Sequence, residues 1–273
     1  MGGEVAVDAA GLVLAYGSHA VLSSATFSVP RGVVTSLVGP NGAGKSSLLN
    51  AIVGLVEPTA GSLSVFGEPP SKVRRRVAYV LQSAKVDEQL PITVRETVVM
   101  GRFAERGAFR RLTADDRRAV ESALDRLDIA DLARRHLHEL SGGQRQRVFV
   151  AQGLVQGADL LLLDEPVTGL DVVSRGVILD VVAEERAAGR TVMMTTHDLA
   201  EASATDNVLL LAGRVVAAGP PDEVLTTDNL TAAYGGRILR LSDGMVLIDD
   251  PHHHAPGHDH ALCETDDESS HRH

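Results

Sequence analysis

One octapeptide constrains this chain more than any other stretch: Gly-Pro-Asn-Gly-Ala-Gly-Lys-Ser, residues 39–46. Before it lies VVTSLVG (33–39), apolar enough for a strand buried on both faces, and after it SSLLNAIVGL, a helical pattern. A strand, a glycine-rich loop and a helix in that order make a phosphate cradle. Glycines let the backbone curl so that its N–H groups converge on phosphate oxygens, and the helix start adds unpaired N–H groups and a favourable dipole. Gly39, Pro40, Asn41, Gly42, Ala43 and Gly44 are the candidate cradle. Lys45 is expected to supply a mobile positive charge for the β- and γ-phosphates, and the Ser46 hydroxyl, followed by Ser47, to ligate Mg2+.

A second stretch supplies what a cradle alone lacks. LLLLDEP (160–166) reads as a buried strand that delivers Asp164 and Glu165 at its carboxyl end, where α/β sites gather their chemistry. Asp164 is the candidate holder of magnesium or its waters, and Glu165 the candidate base that polarises a water against the γ-phosphate. TTHD (195–198) ends another strand with His197, placed to sense or position that phosphate. In ELSGGQ (139–144), Ser141 and Gln144 have capping-box spacing. A cap does not explain the adjacent Gly142 and Gly143, whose bare N–H groups suit a second phosphate contact.

The remaining pattern is α/β. Alternating residues from Val5 to Tyr16 and from Val21 to Pro30 predict early strands, SLSVFG and VAYVLQ two more, and TVMMTTH and VLLLAGRVVAAG the late ones. From about 84 to 157 the period turns helical, with Val120, Leu124 and Leu127 on one face. No stretch approaches the length of about 18 apolar residues needed to cross a bilayer, and MGGEVAVDAA lacks the features of a signal peptide. One cysteine, Cys263, excludes an internal disulfide framework. The net charge of −10 argues against broad nucleic-acid binding, although Arg74, Arg75 and Arg76 adjoin.

Together these motifs resemble the nucleotide-binding subunit of an ABC transporter over residues 5–240: Walker A (GPNGAGKS), a Q-loop at Gln82 in YVLQS, LSGGQ at 140–144, Walker B (LLLLDEP), a D-loop with Asp171 and the switch histidine His197. Tyr16 in AYG matches the aromatic that stacks on adenine. The resemblance implies an ATPase of P-loop NTPase fold and ABC type, with a mixed β core, N-terminal antiparallel strands, and a helical subdomain (about 84–157) inserted between Walker A and Walker B. It implies an ABC domain over 1–248 and a cofactor set of ATP and Mg2+, with Gln82 beside Ser46 and Asp164 at the metal and linking nucleotide to membrane partner. It further implies a head-to-tail homodimer in the ATP-bound state, with Ser141 and Gly143 touching the partner's γ-phosphate and Asp171 coupling the two sites. Two separate permease subunits, an extracytoplasmic metal-binding protein acting indirectly, and a peripheral place on the cytoplasmic face of the cell membrane complete the expectation; no nucleic acid is expected. Three positions depart from the commonest pattern: Ser47 for threonine, Leu81 for proline, and Gln152 for arginine.

Lys45 and Asp164 lie 119 residues apart, too close for the long coiled coil of chromosome-organising relatives, and only one cassette is present. LPITVRETVVMGRF (90–103) resembles the corresponding stretch of zinc and manganese uptake ATPases. Iron-chelate or cobalamin uptake, efflux, and a soluble ATP switch are the alternatives. Residues 249–273 read as a disordered tail with seven carboxylates against one arginine. His252, His253, His254, His258, His260, His271 and His273 make it a candidate zinc-binding tract, which favours zinc over manganese as cargo.

Overall fold

The computed structural model describes residues 4–81, 91–106, 111–235, 238–240 and 246–248. They fall in two compact units, one running to Gly236 and the other starting at Arg237. Gln82 and every histidine of the tail lie outside the described residues.

In the first unit, β1 (Val5–Tyr16), β2 (His19–Pro30), β3 (Val34–Val38), α1 (Lys45–Ile52), β4 (Ala60–Val65), α2 (Pro70–Val73) and β5 (Val77–Val80) come first. The insert follows as α3 (Val94–Arg106), α4 (Ala114–Arg126) and α5 (Gly142–Leu154). Then come β6 (Leu160–Leu163), α6 (Val172–Ala187), β7 (Thr191–Thr195), α7 (Leu199–Ser203), β8 (Asn207–Leu211), β9 (Val215–Gly219), α8 (Pro221–Val224) and α9 (Thr227–Tyr234). In the second unit β10 (Ile238–Arg240) pairs antiparallel with β11 (Val246–Ile248).

The expected architecture is present. The early strands form an antiparallel sheet in the order β2-β1-β4, and the core is a mixed sheet in the order β5-β6-β7-β3-β8-β9. All its neighbours run parallel except β8 and β9. The four leucines of β6 show why such a run is continuously apolar. Leu160 and Leu162 enter one core with Leu12, Leu22 and Leu48, whereas Leu161 and Leu163 enter the other with Leu124, Val148 and Val181. Alternation serves both faces of a covered sheet at once.

The insert buries Val120, Leu124 and Leu127 of its amphipathic stripe. Thr113 and Asp116 cap α4 reciprocally, and Asp116, wholly buried, also receives Arg102 Nε from α3 at 2.8 Å. A Cβ on Gly101 would stand 2.1 Å from the Gln152 carbonyl oxygen, so glycine there lets the backbones of α3 and α5 touch. Arg126 of α4 reaches Glu184 and Glu185 of α6, each at 2.7 Å, and thereby joins the insert to the sheet's helices. Two members of the arginine run are tied to the fold: Arg74 donates to the Gly54 carbonyl, and Arg76 pairs with Asp159 while lying over the Phe66 ring.

Candidate active site

Strand register explains which residues meet. Val80 pairs with Leu163, Leu163 with Met194, and Leu37 with Thr195. The chain therefore leaves β3, β5, β6 and β7 at the same edge, the carboxyl edge where open α/β sheets place their ligands. The glycine-rich loop, Asp164-Glu165 and His197 all follow directly from that register.

The loop is held from two sides. Gly39 has φ 152°, and a Cβ there would lie 2.0 Å from the Leu211 carbonyl oxygen at the end of β8. Gly44, the N-cap of α1, has φ 96°, and its Cβ would stand 2.8 Å from the Val21 carbonyl oxygen on β2. These two positions require glycine for conformation and for space. Ala43 is buried and Pro40 half-buried, whereas Asn41 and Gly42 are exposed. Lys45 is buried, and its Nζ donates to the carbonyls of Gly39 at 2.6 Å and Pro40 at 3.1 Å. A chain that curls its N–H groups toward a phosphate turns carbonyls the other way, and the ammonium satisfies them. Ser46 is exposed and Ser47 half-buried in the first turn of α1.

Asp164 is buried, and each of its oxygens accepts from a neighbouring strand. Thr195 Oγ1 of β7 donates to Oδ1 at 2.8 Å, and the Tyr79 hydroxyl of β5 donates to Oδ2 at 3.3 Å. Burial, together with the Asp164 charge and this hydrogen bond, pushes the Tyr79 phenol above its ordinary range and keeps it a neutral donor. Glu165 has φ 48°, a left-handed backbone unusual for a residue other than glycine, and its N–H donates to Thr195 Oγ1 at 2.7 Å. His197 Nε2 lies 2.5 Å from Glu165 Oε1. That hydrogen bond, against the opposing effect of burial and with help from the charges of His197 and Lys45, holds the Glu165 carboxyl below the usual glutamate range. Glu165 is thus ionised at neutral pH, as an acceptor of protons must be.

The donor set fits magnesium. Asp164 spends two of its roughly four lone-pair sites on the Thr195 and Tyr79 hydroxyls, and the exposed Ser46 hydroxyl is a second hard oxygen. Among the described residues there is no group of three His, Cys, Asp or Glu side chains arranged to hold a metal. Magnesium needs no such cage, since it leans on substrate phosphates and water.

A second gathering lies where α5 and α6 begin. Ser141 caps α5, accepting from the Gln144 N–H at 3.2 Å while Gln144 Oε1 accepts from the Ser141 N–H at 3.0 Å. Asp171 caps α6 through Ser174, whose N–H and hydroxyl hold its carboxyl below the usual range. A Cβ on Gly143 would lie 2.5 Å from Ser174 Oγ and 2.8 Å from Asp171 Oδ2, whereas Gly142 faces open space. Close approach of the two helix starts therefore demands glycine at 143, a packing reason absent from the phosphate argument. Tyr16 stands half-exposed at the end of β1. Gln152 lines a cleft of about 210 Å³ with Tyr79, Leu81 and Phe149. Sequence reasoning missed Thr195 and Tyr79 as partners of Asp164, because a single hydroxyl in a strand has no spacing signature and the neighbours are set by sheet order.

Comparison with known proteins agrees with this geometry. The ABC transporter family pattern matches residues 22–168. The manganese transport system ATP-binding protein MntB of Bacillus subtilis (strain 168) is 38% identical over 88% of this chain and 96% of its own length. The zinc transport system ATP-binding protein TroB of Treponema pallidum (strain Nichols) is 42% identical over 85% of this chain and 88% of its own. A chain of an ABC transporter solved in an inward-facing conformation superposes with a TM-score of 0.75 at 26% identity, covering 89% of this chain and 95% of that one. The cradle, the paired acids at the sheet edge and these relationships lead to one conclusion: the chain belongs to the ABC transporter ATP-binding family and is an ATPase.

Proposed function

We propose that the chain powers uptake of a divalent metal ion through permease subunits on separate polypeptides, and that the ion is zinc. The observation that carries metal uptake is the extent of the match to MntB and TroB, two relatives named for transport of manganese and of zinc. The zinc preference leans on the histidine-rich tail, since imidazole suits Zn2+ whereas Mn2+ favours oxygen ligands. No described helix is long and apolar enough to cross a membrane, in keeping with attachment to the cytoplasmic face through the permeases.

In this reading the amides of 39–44 and the start of α1 hold the ATP phosphates, with Lys45 against the β and γ groups and Tyr16 stacked on adenine. Ser46 and Asp164 hold Mg2+, which when bound neutralises charge on the β- and γ-phosphate oxygens. Glu165 takes the proton of the attacking water, and His197, bonded to its Oε1, keeps that carboxylate oriented. Two copies meet head to tail, each offering Ser141 and Gly143 to the other's γ-phosphate, with Asp171 coupling the sites. Pairing with ATP and parting after hydrolysis then drives the permeases between two states.

Growth of a deletion strain under graded metal limitation tests the proposal. A requirement for excess zinc, cured by the wild-type gene and not by Glu165→Gln, is expected. Rescue by manganese alone would reassign the cargo, and growth indifferent to both metals would overturn metal uptake.

A further inference from the structure

We propose that Thr195 is a positioning residue of the ATPase site, its hydroxyl setting at once the orientation of the Asp164 carboxylate and the backbone geometry of Glu165. The inference rests on the reading of Asp164 as the magnesium ligand and Glu165 as the base.

Topology makes the position special. β7 lies between β3, which leads into the phosphate loop, and β6, which leads into the two acids. The last residue of β7 therefore has the cradle strand on one side, where it pairs with Leu37, and the acidic turn on the other. Thr195 is fully buried, so water does not compete for its hydroxyl. That hydroxyl makes two bonds: it donates to Asp164 Oδ1 at 2.8 Å and accepts from the Glu165 N–H at 2.7 Å. The directions are fixed by the partners, because a carboxylate only accepts and an amide only donates. The Tyr79 contact to Oδ2 is longer, 3.3 Å, so Thr195 is the tighter of the two restraints on the carboxylate plane.

The bond to Glu165 has its own consequence. With φ 48° that residue sits in a backbone region unfavourable to side chains other than glycine's, a conformation that persists only when neighbours hold it. The Thr195 hydroxyl anchors the peptide N–H at the point of strain. Two residues further on, His197 bonds the Glu165 side chain. One strand end thus fixes the base through its backbone and through its carboxylate, while aiming the adjacent metal ligand.

The test uses the full chain. Thr195→Val keeps the shape and removes the hydroxyl; Thr195→Ser keeps the hydroxyl and removes the methyl. Each is measured for melting temperature, for affinity toward a fluorescent ATP analogue in EDTA and in Mg2+, and for steady-state hydrolysis. With valine, affinity in EDTA should stay within about twofold, while the Mg2+-dependent gain and kcat fall on the order of ten- to a hundredfold, the range for a lost hydrogen bond to a charged group. KM for Mg-ATP should rise along with the lost Mg2+ gain, and serine should restore all of these losses. A valine variant with wild-type Mg2+ gain and kcat, or a serine variant as impaired as valine, would overturn the proposal. If neither Thr195→Val nor Thr195→Ala folds while serine does, the hydroxyl belongs to the fold alone and the proposal also fails. Asp164→Asn separates the two levels: a full Mg2+ gain in that variant would sink the reading of Asp164 itself, independently of Thr195.

Discussion

Glu165 answers to conflicting demands. The base we propose it to be needs a free electron pair, yet one carboxylate oxygen is engaged by His197 and the backbone beneath is held left-handed. Glu165→Gln keeps size and polarity while removing the charge. We expect it to bind ATP with wild-type affinity and to reduce hydrolysis by at least about a hundredfold, within the usual range for loss of a general base; phosphate release at saturating ATP measures this. Gly143→Ala should behave differently. Its added methyl meets Ser174 and the Asp171 carboxylate in the same chain, so a loss of roughly 1–3 kcal/mol is expected from overpacking, read from urea unfolding without nucleotide. Lys45, Asp164, Glu165 and His197 were legible as candidates because they sit in motifs with fixed neighbours. The reason for glycine at 143 was not, because it depends on a helix that begins some thirty residues later in the chain.

At the scale of elements, β6 and α4 illustrate two kinds of legibility. Four consecutive leucines bounded by Asp159 and Asp164 read as a short strand covered on both faces, and the structure shows that strand with its alternation into two cores. Leu162→Ala should therefore cost about 2–5 kcal/mol, as for other fully buried leucines, by chemical denaturation. Sheet order was hidden: nothing local says that β7 separates β3 from β6. The short helices α2, α7, α8 and α9 also escaped, since an element of four to eight residues spans barely one or two helical turns and gives the period little to act on. In α4 the stripe was readable, but the role of Asp116 was not. Burial opposes its ionisation, yet bonds from the Thr113 N–H and hydroxyl and from Arg102 prevail and depress its folded pKa well below the ordinary value. A depressed carboxylate contributes stability that is complete above the unfolded value, near about pH 4, and disappears as pH falls through the folded one. Asp116→Asn should accordingly be less stable at neutral pH, with a melting temperature that depends less on pH below that point; equal slopes for both proteins would contradict the assignment.

At the scale of the whole molecule stand pairing and the histidine-rich end. Light scattering of Glu165→Gln in Mg2+ and ATP should report a dimer that the same protein lacks without nucleotide. Zinc titration by calorimetry of the full chain, compared with a chain ending at Asp250, should show uptake only by the longer one; equal heats would remove the tail from any account of the metal. Composition revealed that end as distinct, but no periodic pattern there exists from which contacts could be read.

The seating of α5 has a mechanical corollary. Its first turn abuts α6 at Gly143, its last turn meets α3 through the Gln152 carbonyl, and Gly153 brings it against Val80, where an added methyl would come within 2.6 Å. A helix of thirteen residues, about 20 Å long, is thus wedged without slack between the start of α6 and strand β5. A stiff strut of this kind cannot absorb a push at one end by compressing, so whatever displaces the serine cap must also shift the far tip.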